Sequence, residues 1–211
     1  MGGGAVEDAL REGGRQPGLR LIETVLWTGA DAPRWPLHRA RITRSAAALG
    51  WPAPDLPPPP APPAPARLRL TLEASGATRW EIHPLPAARP LWTLALAPVR
   101  LCSADPWLRH KTSRRDLYDR TRAALPAGID EIVFRNERDE ICEGTITNLF
   151  FDLGRGLRTP PLACGLLPGV LRSEIGCPEE ILPAAELPRA RLWLGNALRG
   201  LIPARHVPDP A

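Results

Sequence analysis

The sequence predicts a mixed α/β (α+β) chain folded as two small lobes, and three observations carry that reading. Short apolar runs with strand periodicity recur along the chain between polar or glycine-bearing turns, the clearest being the hairpin pattern over residues 130–151. Helix-forming stretches lie at residues 37–50 and roughly 114–125. A proline-rich crossing divides the first half, and 211 residues suffice for one domain or two small ones. We place an N-terminal α+β lobe at 1–104, containing the proline-rich connection 52–66, and a C-terminal lobe at 105–211.

Taken in order, Gly2-Gly3-Gly4 reads as a mobile start, and Leu19 to Trp27 as a strand closed by the turn Thr28-Gly29-Ala30-Asp31. Residues 37–50 carry strong helix formers and end in Gly50 with Pro52 two residues on, a helix stop. Trp51 to Ala66 cannot be helix or central strand, because proline lacks the N–H donor and fixes its own φ, so it is a semi-rigid extended connection. Arg67 to Leu72 alternates polar and apolar, Trp80 to His83 follows the Gly76 turn, and Leu91 to Leu101 is read as the next strand of the same N-terminal sheet. Beyond Ala104-Asp105-Pro106 come the helix at 114–125 and the 130–151 hairpin with its turn Asn136-Glu137-Arg138-Asp139. Gly154 and Gly156 mark a further turn, Pro168-Gly169 opens a helix at Val170 to Ile175, and Leu192 to Leu194 is a strand.

Composition narrows the function classes. The net charge of +4 comes from arginines spread along the chain and interleaved with acids, with no basic block, so we expect no nucleic-acid partner and favour a small anionic ligand. The four cysteines show neither C-x-x-C spacing nor a histidine cluster, so we expect reduced thiols in a cytoplasmic protein and no metal. No secretory pattern and no apolar run of spanning length are present, so no membrane association is expected. The Met-Gly start is a poor lipidation match, because Val6 stands where the pattern wants Ser or Thr.

The chemistry concentrates in three segments. Glu143-Gly144-Thr145-Ile146-Thr147-Asn148 puts a carboxylate at a strand end, followed by two hydroxyls and an amide. Upstream lies His110-Lys111-Thr112-Ser113-Arg114-Arg115, downstream Leu166-Leu167-Pro168-Gly169-Val170-Leu171. Taken alone, Glu143 is an ordinary hairpin carboxylate and Arg41 a basic residue on an amphipathic helix. Lys111, however, is the only lysine in an arginine-biased chain. Its retention points to chemistry that arginine, which cannot supply a neutral amine near neutral pH, cannot do.

In that order the three segments resemble the class IV aminotransferases, the fold-type-IV pyridoxal phosphate enzymes with the D-amino-acid aminotransferase-like two-lobed fold. The H-x-x-R-I-x-x-S-A run from His38 and the Gly195-Asn196 turn are similar to further motifs of that family. The resemblance implies that Lys111 forms the Schiff base with pyridoxal 5'-phosphate and that Glu143 bonds the pyridine nitrogen. It also assigns Asn148 to the cofactor site, Arg41 to the phosphate, and the Val170 and Leu171 N–H groups at a helix start to the same anion. Ala197 stands where the family often carries Ser or Thr. Branched-chain members carry a tyrosine five residues after the lysine; here Asp116 is at that place and Tyr118 at seven, in an R-x-x-Y-D setting similar to the lyase-like subgroup.

The activity this implies is that of a 4-amino-4-deoxychorismate lyase, giving p-aminobenzoate and pyruvate in folate synthesis, from a homodimer whose sites are completed by the neighbouring subunit. The alternatives are a class IV aminotransferase of branched-chain or other amino acids and, from a different class, a non-catalytic basic binding module contacting phosphates.

Overall fold

The structure, a computed structural model, describes residues 3–208 and divides into two compact units. The first runs to Ala87 and takes back His110–Arg114; the second comprises Ala88–Arg109 and the chain from Arg115 onward.

In the first unit α1 (Gly3–Gly14) precedes β1 (Arg20–Trp27), α2 (Trp35–Ala48), β2 (Ala66–Glu73) and β3 (Thr78–Pro84). The three strands form one antiparallel sheet in the order β1-β2-β3, with Leu21 opposite Leu72, Val25 opposite Leu68 and Leu70 opposite Trp80. Period-two alternation sets the core: Leu68, Leu70 and Leu72 are buried while the intervening Arg67, Arg69 and Thr71 are partly exposed. Pro36 sits in the first turn of α2, where a missing N–H costs nothing, and Ile42, Ala46 and Leu49 are buried on its inner side. Gly50 then takes φ +70°, a conformation that stops the helix. The proline-rich connection is held at Pro62, whose carbonyl accepts the Trp27 indole N–H at 2.8 Å. From Gly3 onward the glycine-rich start is helical rather than mobile; Gly2 lies outside the described residues.

The second unit is a closed six-stranded barrel in the order β4-β5-β6-β7-β8-β9. Its members are β4 (Trp92–Leu96), β5 (Glu131–Arg135), β6 (Ile141–Gly144), β7 (Asn148–Asp152), β8 (Arg191–Asn196) and β9 (Gly200–His206), with α3 (Asp116–Ala123) and α4 (Val170–Ile175) beside them. Leu94, Val133, Ile141, Leu149, Phe151 and Leu194 share one buried cluster, and Ala95, Ile132, Phe134 and Cys142 another against Leu117 and Tyr118. Both faces of β5 are therefore covered, which is why its burial is continuous rather than alternating.

The strand expected at 91–101 is shorter, Trp92–Leu96, and belongs to this barrel rather than to the N-terminal sheet. It pairs in parallel with both β5 and β9, so the units divide after Ala87 rather than at 104/105. Parallel partners lie far away in sequence, and nothing in the strand's own pattern names them. Among the described residues no helix is long and apolar enough to cross a membrane.

Candidate active site

In the second unit the hairpin between β5 and β6 turns at Asn136, whose side-chain oxygen accepts the N–H groups of Arg138 at 2.9 Å and Glu140 at 3.1 Å. The turn sets the register that brings Glu143 to the end of β6, where it is 6% exposed. Each of its oxygens is engaged. Tyr118 Oη donates to Oε1 at 2.9 Å, while the Leu167 N–H at 3.1 Å and Asn148 Nδ2 at 3.4 Å donate to Oε2. Asn148 also donates to the Leu167 carbonyl at 3.0 Å, tying the start of β7 to the loop that leads into α4.

The loop joining Glu143 to Asn148 is shaped by a second carboxylate. Glu131 is fully buried, and it accepts the N–H groups of Thr145 at 3.0 Å and Ile146 at 3.3 Å, the Thr147 hydroxyl at 3.0 Å and the Thr145 hydroxyl. Arg122 Nη1 lies 3.3 Å from it. A Cβ on Gly144 would come within 2.5 Å of Thr147 Oγ1 and 2.8 Å of Glu131 Cδ, so this close approach requires glycine.

Pro168-Gly169 opens α4 as its spacing predicts. Gly169 is extended (φ −64°, ψ 145°), and a Cβ there would overlap Asn148 Oδ1. Val170 and Leu171 are 3% and 4% exposed and occupy the first turn, where backbone N–H groups lack intrahelical acceptors. With six residues the helix is under two turns, so it offers amides rather than a large dipole.

The first unit holds the remaining predicted residues. Arg41, on α2, grips Glu23 of β1 through Nε at 2.8 Å and Nη2 at 2.5 Å, and His38 Nδ1 lies 2.6 Å from the same carboxylate. Burial would raise the Glu23 carboxyl, but the Arg41 charge and hydrogen bonds from His38 and Arg41 outweigh it and hold it at about 2. Lys111 lies on a short extension of the sheet. The Ile22 N–H donates to its carbonyl at 2.8 Å, the Ser113 N–H donates to the Arg20 carbonyl at 2.8 Å, and Leu21 bridges Thr112. His110, beside it, lies 3.0 Å from the Ser45 hydroxyl of α2. Arg41 and Lys111 thus stand on elements of one unit, and Glu143, Asn148, Val170 and Leu171 are gathered in the other.

Four participants escape a motif-based reading: Glu23, Tyr118 as a partner of Glu143, the Leu167 N–H, and Glu131. Glu23 leaves a usable signal, a carboxylate inside an apolar strand that needs a buried cation. Backbone groups such as the Leu167 N–H leave none. The thiols nearby offer no nucleophile, since burial pushes Cys142 well up and Cys164 to about 12.

The family model for amino-transferase class IV matches residues 60–207. Among solved structures, a candidate amino-acid aminotransferase from Mesorhizobium loti is 42% identical with a TM-score of 0.83, the match covering 90% of this chain and all of that one. Two more distant structures speak to the fold alone. A candidate 4-amino-4-deoxychorismate lyase from Legionella pneumophila is 19% identical, with a TM-score of 0.76 over 90% of this chain and 83% of that one. A hypothetical aminotransferase from Mycobacterium tuberculosis in its PLP-bound form is 21% identical, with a TM-score of 0.78 over 92% and 82%. No curated protein matches the chain.

Proposed function

We propose that this chain, which belongs to the class IV aminotransferase family and is a pyridoxal phosphate-dependent enzyme, works as a 4-amino-4-deoxychorismate lyase that yields p-aminobenzoate and pyruvate. The observation that carries the lyase reading is the place of Tyr118, seven residues after the lysine in the R-x-x-Y-D setting, where branched-chain members carry a tyrosine at five. On this reading the protein supplies folate synthesis from the cytoplasm, where its four free cysteines stay reduced.

The residues fit the cofactor. Glu143 is a buried acceptor oriented by neutral donors, suited to a protonated ring nitrogen, and the sole lysine supplies the amine. Gly169 lets Asn148 Oδ1 pack where a side chain would stand, at the start of the helix whose Val170 and Leu171 amides would take the phosphate. When bound, pyridoxal phosphate supplies an electron sink for a carbanion at the amine-bearing carbon. Lys111 Nζ takes the proton from that carbon and then delivers one to the enolpyruvate carbon as it leaves, so that the substrate ring becomes aromatic. Glu143, as a carboxylate, would keep the ring nitrogen protonated. Asn148 keeps Glu143 in register with the Leu167 loop.

The likeness to the Mesorhizobium loti protein favours a second reading, transamination, which uses the same Lys111 and Glu143 and differs only after the first proton is removed. Two measurements test the proposal. Incubation with pyridoxal phosphate and reduction with borohydride should leave the phosphopyridoxyl group on Lys111, located by mass spectrometry. Pyruvate should then appear from aminodeoxychorismate with no keto acid added. Turnover that requires a keto acid acceptor would establish the aminotransferase instead, and a protein that takes up no cofactor would remove both readings.

A further inference from the structure

We infer that Tyr118 is a positioning residue for Glu143, its hydroxyl fixing the carboxylate and holding it in the charged form that leaves a shared proton on the cofactor's ring nitrogen. This rests on the reading that Glu143 meets that nitrogen. Three elements reach the carboxylate from different directions: Tyr118 from α3 to Oε1, and Asn148 from β7 with the Leu167 N–H to Oε2. Donors on both oxygens stop the group from rotating. Each also favours its charged form, lowering its pull on a proton shared with a neighbouring base. An ionised carboxylate has no proton to give, so the direction of the Tyr118 bond is fixed.

The phenol is itself held in place. Its ring stacks at a tilt on Phe134, with centroids 5.0 Å apart, and the Arg115 guanidinium lies 5.8 Å from its centroid. Arg115 is anchored in turn by Asp119 at 2.6 Å and the Thr145 carbonyl at 3.1 Å. Burial first, then the charge of Glu143, pushes the phenol far above its ordinary range, which favours the protonated, donating form. The two amide donors cannot replace it, because both serve the other oxygen.

The test uses the holoenzyme loaded with pyridoxal phosphate labelled with nitrogen-15 at the ring nitrogen, whose chemical shift separates protonated from neutral pyridine. Tyr118→Phe keeps the ring packing and removes only the hydroxyl. It should move the resonance downfield toward neutral pyridine and lower kcat on the order of tenfold, the scale of one bond to a charged group, with KM little changed. Because Tyr118 is the only tyrosine in the chain, 3-fluorotyrosine can be introduced at this position alone; keeping the hydroxyl, it should restore the pyridinium resonance. A Tyr118→Phe resonance at the wild-type position with unchanged kcat would overturn the inference while leaving the role of Glu143 intact. Should Glu143→Gln itself leave the resonance unmoved, the underlying reading fails and the inference with it. If Tyr118→Phe does not fold, the 3-fluorotyrosine protein decides alone: its more acidic phenol donates more strongly to Glu143, so the pH at which the pyridinium resonance gives way to neutral pyridine should rise above the wild-type midpoint, and an unmoved midpoint overturns the inference.

Discussion

At the scale of single residues, the proposed roles separate groups that would hold the cofactor from those that would tune it. On those roles Glu143→Gln should retain pyridoxal phosphate, since binding would rest on Lys111 and the phosphate contacts, yet lose turnover by roughly 100-fold or more. Absorbance and steady-state kinetics on one preparation decide this, and unchanged kcat would return Glu143 to the status of a hairpin carboxylate. Glu23 gives a pH prediction. Its folded value of about 2 lies below the ordinary 4.5, so its contribution is complete above pH 4.5 and is lost as pH falls toward 2. The shift corresponds to about 3 kcal/mol. Urea unfolding across that window should show the wild type losing stability that Glu23→Gln never had; the variant should also be weaker at neutral pH, because the buried Arg41 charge loses its contact with the Glu23 carboxylate. Equal slopes would show that other carboxylates carry the acid response. Lys111 stands out in the sequence as the only lysine, Glu143 as a carboxylate that ends an apolar strand, and Arg41 as a motif residue. Glu23 shows as a carboxylate inside an apolar strand, but its pairing with Arg41 does not, since a hydrogen bond between a strand and a helix has no sequence spacing of its own.

At the scale of elements, local chemistry could be read and long-range pairing could not. The turn at Asn136, the stop at Gly50 and the opening of α4 at Pro168-Gly169 each rest on residues adjacent in sequence, and each stands where its signal puts it. Barrel closure depends on β4 meeting β9 in parallel, Trp92 beside Ala204, which no periodicity within either strand announces. The glycines of the site can be tested at this scale. Gly169→Ala should push Asn148 off its bonds to Glu143 and Leu167, because the added methyl overlaps Asn148 Oδ1. The expected cost is about 1–3 kcal/mol, the range for overpacking a close contact. Urea unfolding should show that loss together with weakened pyridoxal phosphate binding. Wild-type stability and affinity would mean the backbone yields and the approach is not required. Gly144→Ala serves as a comparison, since its methyl would meet Thr147 Oγ1 and Glu131 instead.

For the whole molecule, the remaining question is assembly, and we predict a homodimer. Among the described residues the three-stranded sheet ends at β3, an edge strand, and Ile82 on it is 54% exposed with Leu85 just beyond at 38%. An edge carrying large apolar side chains invites pairing with another chain unless something covers it. The chemistry gives a second reason, because a carbanion is stabilised best where water is excluded and charges act through a low dielectric. A second copy related by a two-fold axis is the commonest way to supply such cover. Light scattering over a concentration series should return the dimer mass, and Ile82→Asp should shift the equilibrium toward monomer while Lys111 still accepts pyridoxal phosphate. A dimer that persists unchanged in this variant would place the contact elsewhere on the surface. A wild-type chain that stays monomeric at every concentration while turning over at full rate would show that a single copy builds the complete site, and the dimer prediction would fall.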